Sequence, residues 1–260
     1  ALSHVHACLG APLRVEGERS RRTVPRLIPD TQPLLDGSPS PLTKYGFWAP
    51  PNVESHPHYG LPHGPTLEQG IAAVTQWVKS NVPGGSRVLV EGGVLGERLG
   101  WTTDVEILGG FTERNVAHVD ANYFRKFQNY AATPAQLESY LQTYAVEWVI
   151  GNRPEFSHVP ELLELVTEVG GRRVYRTRIP ARRVQGGAGT VRATSNRIEV
   201  DHTNPRESIE LAYHYHEALV CAPSCRVERA PSEHDRVGMI RIPAPHPARF
   251  EITNGYSFPR

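Results

Sequence analysis

Polar and aromatic side chains are interleaved between residues 114 and 124, shortly after a Gly-Gly pair. Such a mixture suits sugar recognition, in which aromatic rings stack on pyranose faces while amides and carboxylates bind hydroxyl groups. It suits an ordinary connection from a loop to a helix equally well. Two further candidates are Trp101, an aromatic residue before this stretch, and Glu91, an acidic residue at the end of a predicted strand. The candidate ligand-binding residues are Glu91, Trp101, Arg114, Asn115, His118, Asp120 and Tyr123.

Glu91 opens a glycine-containing turn, Glu91-Gly92-Gly93-Val94-Leu95-Gly96, directly after a predicted strand. Such a turn can hold phosphate groups when it has the pattern G-x-G-x-x-G and leads into a helix. This turn departs from that pattern, and residues 97–101 do not favour a helix. A tight turn that frees the strand end is therefore favoured over a nucleotide site, although Glu91 can still face a ligand. No cofactor is predicted.

Asp104 and Glu106 are the two carboxylates that most resemble a catalytic pair. They alternate with Val105 and Ile107 on a predicted strand, so both are expected on one side of it. Two neighbouring acids are the machinery of glycoside hydrolysis, but a solvated strand edge explains the same spacing. No complete catalytic constellation is visible, and no catalytic residue is predicted.

His214 and His216 share one face of a predicted strand with Glu210, a spacing by which a β-strand presents two imidazoles to zinc. No third ligand can be identified, so an exposed polar face is the favoured interpretation. Three further histidines lie in a Pro- and Gly-rich segment, which holds metal ligands poorly. These are His56, His58 and His63. No metal site is predicted.

Cys221 and Cys225 flank Ala-Pro-Ser, which allows a small disulfide-bridged loop but is too sparse for a zinc site. Two unpaired thiols explain the spacing equally well. A disulfide would place this part of the chain in an oxidising compartment. Cys8 is left over, in a segment without a clear structural pattern.

The elements that must position these side chains change in character along the chain. Residues 1–65 are rich in proline and are expected to be an extended segment. Between residues 66 and 181, helices alternate with apolar strands, which predicts an α/β domain with a small, mainly parallel sheet. The predicted strands are 87–91, 105–108, 146–150 and 174–176, and the predicted helices begin at Thr66, Pro134 and Pro160. The last of these helices is expected to continue to the Gly170-Gly171 pair.

Residues 182–260 lack the helical pattern and contain short apolar runs between turn residues. Six such runs in about 80 residues predict an antiparallel β-sandwich with a jelly-roll-like arrangement. The runs are 189–194, 197–201, 208–216, 226–229, 237–242 and 249–253. The chain is thus expected to be α/β plus all-β, with segments 1–65, 66–181 and 182–260.

Composition narrows the possible partners. A net charge of +1 provides no field that would attract nucleic acid over a distance, so no nucleic-acid partner is expected. No apolar run approaches the ~20 residues that span a bilayer, so a water-soluble piece is expected. Met239 is the only methionine. We therefore expect that the chain was cut from a longer protein, which could include a membrane anchor.

The order of segments resembles that of a known group of membrane proteins. The phrases concerned are SRVLVEG, VEILGGFTERN, ATPAQLESYLQTYAVEWVIGNRPEF, VYRTR, GGAGTVRATSNRIEVD, IELAYHYHEAL and DRVGMIRIPAPHPARFEITNGY. Together they resemble the C-terminal extracytoplasmic region of large bacterial multi-spanning proteins of the glycosyltransferase-C-like group. That group includes the YfhO-type and the pyruvoyl-tetrahydropterin-synthase-related membrane proteins. The resemblance covers residues 66–260 and includes no catalytic signature.

The resemblance implies a function that the residues alone do not show. Members of this group use a polyprenyl-phosphate sugar as donor, and their catalytic acid lies in a loop outside this chain. An extracytoplasmic accessory domain is therefore expected, packed on its own membrane-spanning portion at the cell membrane. It would help recognise a cell-envelope glycan or lipid-linked sugar, and such a location fits a Cys221–Cys225 disulfide. Two alternatives stay open: a stand-alone carbohydrate-binding or adhesive module, and an α/β enzyme that uses the Glu91 turn for a nucleotide.

Overall fold

The computed structural model describes residues 67–109, 119–127, 132–194 and 196–255. The Pro-rich segment 1–65, with Cys8 and the three histidines named above, lies outside these ranges. In the first part, a 3₁₀ turn at Val119–Ala121 accompanies five helices and five strands. These are α1 (Leu67–Asn81), β1 (Arg87–Val90), α2 (Gly93–Thr102), β2 (Glu106–Gly109), α3 (Tyr123–Lys126), α4 (Pro134–Thr143), β3 (Trp148–Gly151), α5 (Pro154–Ser157), β4 (Leu163–Val169) and β5 (Arg172–Thr177).

One five-stranded sheet organises this part, with the strand order β2-β1-β3-β5-β4. Strands β2, β1 and β3 are parallel, whereas β5 and β4 run antiparallel to their neighbours. The three parallel strands are buried along their whole length, as is typical of strands that are covered on both faces. The expected mixture of helices and sheet is confirmed. Only two of the four pairings are parallel, so the sheet is mixed rather than mainly parallel.

Helices supply the apolar cover on each face of the sheet. Helix α1 turns Ile71, Val74 and Val78 toward one face, at the spacing that places them on a single side of a helix. Helices α3, α4 and α5 pack on the opposite face, in a cluster that is rich in aromatic rings. Its rings are Tyr123, Phe127, Tyr140, Tyr144, Phe156 and Tyr175.

Helix α4 begins as its sequence predicts. The Thr133 hydroxyl accepts a hydrogen bond from the Gln136 backbone N–H at 3.3 Å, and the Gln136 side-chain oxygen accepts one from the Thr133 N–H at 2.9 Å. This capping box satisfies two amide groups that a helix start leaves without partners, and Pro134 fits the first turn. The helix buries Leu137 and Leu141, and it delivers Tyr144 to the segment that leads into β3.

Helix α2 corrects the prediction that residues 97–101 do not form a helix. Leu95 and Leu99 are four residues apart and both face the sheet, so burial stabilises the helix despite its three glycines. Gly100 is buried against the sheet, and a Cβ atom there would contact the Ile107 side chain at 4.0 Å. Tertiary packing thus overrides the low intrinsic helix propensity of glycine.

The predicted helix that begins at Pro160 is wrong, because residues 163–169 form strand β4. The Gly170-Gly171 pair, with φ angles of 57° and 71°, makes a tight hairpin that pairs β4 with β5. Leu163 is buried, whereas Leu165 and Val166 are exposed at the edge of the sheet. Apolar residues with nearly helical spacing therefore reflect a bulged edge strand and not an inward helix face.

The second part contains eight strands in two four-stranded antiparallel sheets, with the orders β10-β13-β8-β7 and β11-β12-β9-β6. All six predicted runs contain strands, and β6 and β10 were not predicted. The bounds are β6 (Val184–Gly186), β7 (Thr190–Thr194), β8 (Arg197–Asp201), β9 (Ile209–His214), β10 (Leu219–Ala222), β11 (Glu228–Ala230), β12 (Met239–Ile242) and β13 (Phe250–Asn254). Buried side chains from both sheets, among them Val200, Leu211 and Ile252, form one apolar cluster.

Cys221 and Cys225 are joined by a disulfide at the end of β10, with Cα atoms 5.3 Å apart. That separation lies within the usual range for disulfide-bonded residues. Both side chains pack against the apolar cluster of the two sheets.

Candidate functional site

Glu91 lies at the carboxyl edge of the parallel strands, directly after β1. From β1 the chain continues to β2 on one side, and from β3 it continues to β4 and then β5 on the other side, so the ends of β1 and β3 form a topological switch point. Ligands of open α/β sheets commonly bind at such a point. Here, however, the Glu91 carboxylate accepts a hydrogen bond from the Asn152 backbone N–H at 2.7 Å and lies 3.7 Å from the Arg153 guanidinium.

Arg153 is itself held by several groups of this edge. It donates to the carbonyl oxygens of Phe127 and Phe124 at 2.8 and 3.0 Å, and it lies over the Phe124 ring. A Cβ atom at Gly151 would lie 2.8 Å from a Glu91 carboxylate oxygen, so glycine gives the Glu91 side chain the space for this position. The groups at the switch point therefore satisfy one another, and they brace the ends of β1 and β3.

Two other candidate residues do not join a binding site. Tyr123 is completely buried among aromatic rings, and burial, together with the nearby Glu155 carboxylate, raises the pKa of its hydroxyl. Asp120 accepts hydrogen bonds from the backbone N–H and the guanidinium of Arg236, both at 3.1 Å. Arg114, Asn115 and His118 lie outside the described residues.

Trp101 lies far from Glu91. It occupies the last turn of α2, roughly 12 Å along the helix axis from Gly93, given a rise of about 1.5 Å per residue. Its side chain is 65% exposed, and it precedes Asp104 by three residues. The four candidates that the structure describes therefore do not form one cluster.

A buried ion network occupies the opposite, amino edge of the sheet, where β1, β2 and β3 begin. Arg87 is only 1% exposed, and its Nε and Nη2 atoms donate to one Glu106 carboxylate oxygen at 2.9 and 2.7 Å. Its Nη1 atom donates to the carbonyl oxygens of Tyr144 and Ala212, both at 2.7 Å. Because Ala212 belongs to β9, one guanidinium ties the five-stranded sheet to the second part of the chain.

Arg183 completes the network from the segment between β5 and β6. It donates to Glu106 at 2.6 Å, to Glu147 at 2.8 Å and to the carbonyl oxygen of Gly85 at 2.7 Å. The Tyr213 hydroxyl donates to the second Glu106 oxygen at 3.0 Å. Glu106 therefore receives hydrogen bonds from side chains that are up to 107 residues away in sequence.

Asp104 and Glu106 differ in burial and in their surroundings, which does not favour the interpretation as a catalytic pair. Strand β2 begins only at Glu106, which is 5% exposed, while Asp104 lies in the preceding loop and is exposed. Burial raises the pKa of Glu106, but the charges and hydrogen bonds of Arg87 and Arg183 outweigh burial and hold it below its usual value. A carboxyl group held in its ionised form cannot donate a proton, so this pair is not a general acid with its partner base.

A groove with a volume of about 1030 Å³ runs along this amino edge. Loops that precede β1 and β2 line one side, and strand β7 and the segment around Arg183 line the other. Backbone and small side chains alternate with charged ones on both sides. The lining residues are Pro83, Gly84, Gly85, Ser86, Asp104, Glu106, Glu147, Ala181, Arg183, Val191, Arg192, Ala193 and Thr194.

Buried polar groups also connect the two parts through Asp235. One oxygen of this carboxylate accepts from the Tyr144 hydroxyl at 2.5 Å and from His214 Nε2 at 2.6 Å, and the other accepts from the backbone N–H groups of Val237 and Gly238. Burial raises the pKa of Asp235, yet these hydrogen bonds together lower it well below the ordinary value. Burial, Tyr140 and the Asp235 charge raise the pKa of Tyr144.

Contrary to the prediction from alternation, His214 and His216 do not lie together on one face of β9. The strand ends at His214, whose imidazole is buried against Asp235. His216 follows the strand, and its Nδ1 atom accepts a hydrogen bond from the Ala218 N–H. Among the residues that the structure describes, no group of three metal-ligating side chains is present.

Replacing Asp235 with asparagine is expected to lower the free energy of unfolding by about 2–3 kcal/mol. Hydrogen bonds to a charged acceptor contribute about 1.5–3 kcal/mol, and removal of the charge leaves buried donors poorly matched. Urea unfolding of the 260-residue chain measures the change. The half-exposed Asp201 accepts a hydrogen bond from the His202 N–H and lies 3.7 Å from the largely exposed Arg249. It provides the control Asp201→Asn, which is expected within about 0.5 kcal/mol of the parent. If both variants lower the free energy of unfolding equally, the buried hydrogen bonds of Asp235 contribute no more to stability than those of a half-exposed aspartate.

Comparisons with protein-family models, with curated proteins and with solved structures found no match to this chain. No helix in the part that the structure describes is both long and apolar enough to cross a membrane. The groove and the buried network are the features that bear on function.

The central residues of that network were missed as a group by sequence reasoning. Arg87 and Glu106 each open a short apolar strand, and Glu147 directly precedes another. A charged residue at the start of a buried strand is a signal that could have indicated the amino edge. Nothing local in the sequence identifies Arg183 as their common partner.

Proposed function

We propose that this chain is an extracytoplasmic accessory domain of a glycosyltransferase-like membrane protein and that it binds an acceptor glycan in the groove. The groove carries the proposal. Its volume of about 1030 Å³ lies just above the range for small-ligand sites, about 300–1,000 Å³. Such a volume suits several linked sugar units better than a single one.

The chemistry of the lining supports a ligand rich in hydroxyl groups. Asp104 and Glu147 offer carboxylate oxygens that accept hydrogen bonds, while Arg192 and Thr194 offer donors. Acidic and basic side chains are present in comparable number, so the groove lacks the strongly positive field that phosphate-rich polymers need. A glycan matches this balance of donors and acceptors.

An exposed aromatic ring lies close in sequence to the groove. Trp101 comes three residues before Asp104, which lines the groove, and its ring is largely accessible to solvent. Aromatic rings of this kind bind the apolar faces of sugars while their edges stay hydrated. Of the described candidates, Trp101 is the closest in sequence to a residue that lines the groove.

The resemblance supplies the biological context of the proposal. The partners are the membrane-spanning portion of the same protein and a lipid-linked sugar, at the extracytoplasmic side of the cell membrane. Catalysis then belongs to that portion, in line with an ionised Glu106 that is engaged by two arginines. The finer fold assignment is also part of the proposal: an α/β layer, followed by a β-sandwich with jelly-roll-like connections.

A stand-alone carbohydrate-binding module is the second candidate. Strand β7 of the second part forms one side of the groove, so the β-rich part contributes directly to binding. Binding experiments do not separate the two candidates, because both predict the same groove. The hydropathy profile of the complete encoded protein does: about a dozen hydrophobic spans support the accessory domain, and a lone signal peptide supports the module.

The 260-residue chain is expected to bind neutral hexasaccharides with a Kd between about 10 μM and 1 mM, and the variant Thr194→Tyr is expected to weaken binding at least about tenfold. Tyrosine fills the groove from β7 and is well tolerated in strands. Isothermal titration calorimetry with cellohexaose, maltohexaose, mannohexaose and N-acetylchitohexaose measures both.

Thr190→Tyr is the matched control, because Thr190 lies on the same strand and is not part of the groove lining. It should leave the Kd within about twofold. The proposal fails if none of the four oligosaccharides binds, or if both tyrosine variants lower affinity equally.

A further inference from the structure

We infer that the ligand of the groove is a zwitterionic glycan, which carries both free amino groups and carboxylates. This inference rests on the proposed glycan-binding function and specifies its substrate class. The observation behind it is which of the charged side chains that line the groove form ion pairs or hydrogen bonds. Within the part of the chain that the structure describes, most of them are engaged with one another, and two of opposite sign are not.

The carboxylates and guanidinium groups that pair with one another have a net charge of about zero. Glu106 is held by Arg87 and Arg183, and one oxygen of Glu147 accepts from Arg183 Nη2 and from the Arg87 backbone N–H. Two carboxylates thus face two guanidinium groups in a network with short hydrogen bonds. These groups are committed to joining the two parts of the chain, and they leave no net charge for a ligand.

Asp104 is the unmatched acid. Its backbone carbonyl accepts a hydrogen bond from the Gly85 N–H at 2.8 Å, which fixes the loop before β2 against the loop before β1. Its carboxylate makes no hydrogen bond or ion pair with any residue that the structure describes. The loop therefore presents the Asp104 carboxylate to the groove from the side of the five-stranded sheet.

Arg192 is the cationic residue without an ion-pair partner among the described residues, and it lies in β7 on the other side of the groove. Glu199 lies opposite Arg192 in the register of β7 with β8, but the Glu199 carboxylate is 3.6 Å from Arg197 instead. Within the described ranges, the Arg192 guanidinium has no ion pair, and it does not pair with Asp104 although both line the same groove. One free charge of each sign, kept apart, is complementary to a ligand that carries both.

The test uses four hexasaccharide probes that differ in charge. N-deacetylated hyaluronan carries amines and carboxylates, hyaluronan carries carboxylates, N-deacetylated chitin carries amines, and N-acetylchitohexaose is neutral. Calorimetry with the 260-residue chain is expected to give the zwitterionic probe a Kd roughly 10-fold or more below that of the neutral one, because charge-assisted hydrogen bonds are the stronger ones. The advantage should shrink at high salt.

Two conservative variants assign the charges. Asp104→Asn should weaken binding of both amine-bearing probes roughly 3- to 10-fold and leave hyaluronan within about twofold. Arg192→Gln should do the reverse: it weakens the two carboxylate-bearing probes and spares N-deacetylated chitin. Both residues are exposed, so unchanged thermal unfolding is the check that each variant folds.

Each remaining outcome overturns a defined statement. Equal affinity for all four probes, with no effect of either variant, overturns the zwitterionic ligand and leaves glycan binding intact. If none of the four probes binds and an extended Lys/Glu peptide does, glycan binding itself is overturned. Such a result indicates that the peptide adds as a strand at the edge of β7.

Discussion

Glu106→Gln is expected to lower the free energy of unfolding by about 3–5 kcal/mol, the range found when one partner of a buried ion pair is removed. The substitution keeps the side-chain volume, so it leaves no cavity. It leaves the buried guanidinium of Arg87, and the largely buried one of Arg183, without their shared counter-charge. Urea unfolding of the 260-residue chain, monitored by tryptophan fluorescence, measures the loss.

Glu164→Gln is the matched control. Glu164 forms a comparable pair with Arg178 at 3.6 Å, but both side chains are more than half exposed. Surface ion pairs contribute little, so the expected change is at most about 1 kcal/mol. A similar small effect of both variants would mean that the amino edge is solvated and that the network does not hold the two parts together.

The pH dependence gives a second readout of Glu106→Gln. The pKa of Glu106 is lower in the folded chain than in the unfolded chain, so the folded state binds this proton less tightly. The stability that the carboxylate contributes is fully present above the unfolded pKa, about 4.3, and is lost as the pH falls through the lower folded value. Acidification should therefore destabilise the parent chain more steeply than the variant.

Gly170→Ala is expected to cost about 2–5 kcal/mol of stability. Gly170 has a φ of 57°, where a side chain costs about 1–2 kcal/mol. A Cβ atom there would also overlap the backbone carbonyl oxygen of Gly70 in α1. Overpacking of this kind costs about 1–3 kcal/mol more, because neither the helix nor the hairpin can yield freely. Thermal and urea unfolding measure the sum.

The neighbouring Gly171 provides a control within the same turn. Its φ is 71°, but a Cβ atom there would contact nothing within 4 Å. Gly171→Ala should therefore show only the conformational cost of about 1–2 kcal/mol. The difference between the two variants isolates the contact of α1 with the β4–β5 hairpin, and equal losses would refute that contact.

The sequence by itself determined much of the element order. β1, β3 and β5 lie close to their predicted positions, since short apolar runs bounded by turn residues leave little choice of structure. The start of α4 is likewise encoded by Thr133, Pro134 and Gln136 within one turn. The antiparallel β-rich half follows from alternation and turns, both of which are local properties.

Strand pairing and packing decided the elements whose local pattern is ambiguous. The leucines and valines before Gly170 fit a helix and a strand almost equally well, and only the β5 partner selects the strand. Glycines make α2 a poor helix in isolation, and only burial of Leu95 and Leu99 on the sheet stabilises it. Such outcomes depend on neighbours that no local window contains.

The groove was determined by tertiary structure alone. Arg87 and the Ala212 carbonyl that it binds are 125 residues apart, and Arg183 reaches Glu106 across 77 residues. Side chains from so many separate segments meet only after the sheet and the two β layers have formed. The sequence determined which residues carry charge. The fold decided which of these charges pair with one another and which, among the described lining residues, stay unpaired beside the groove.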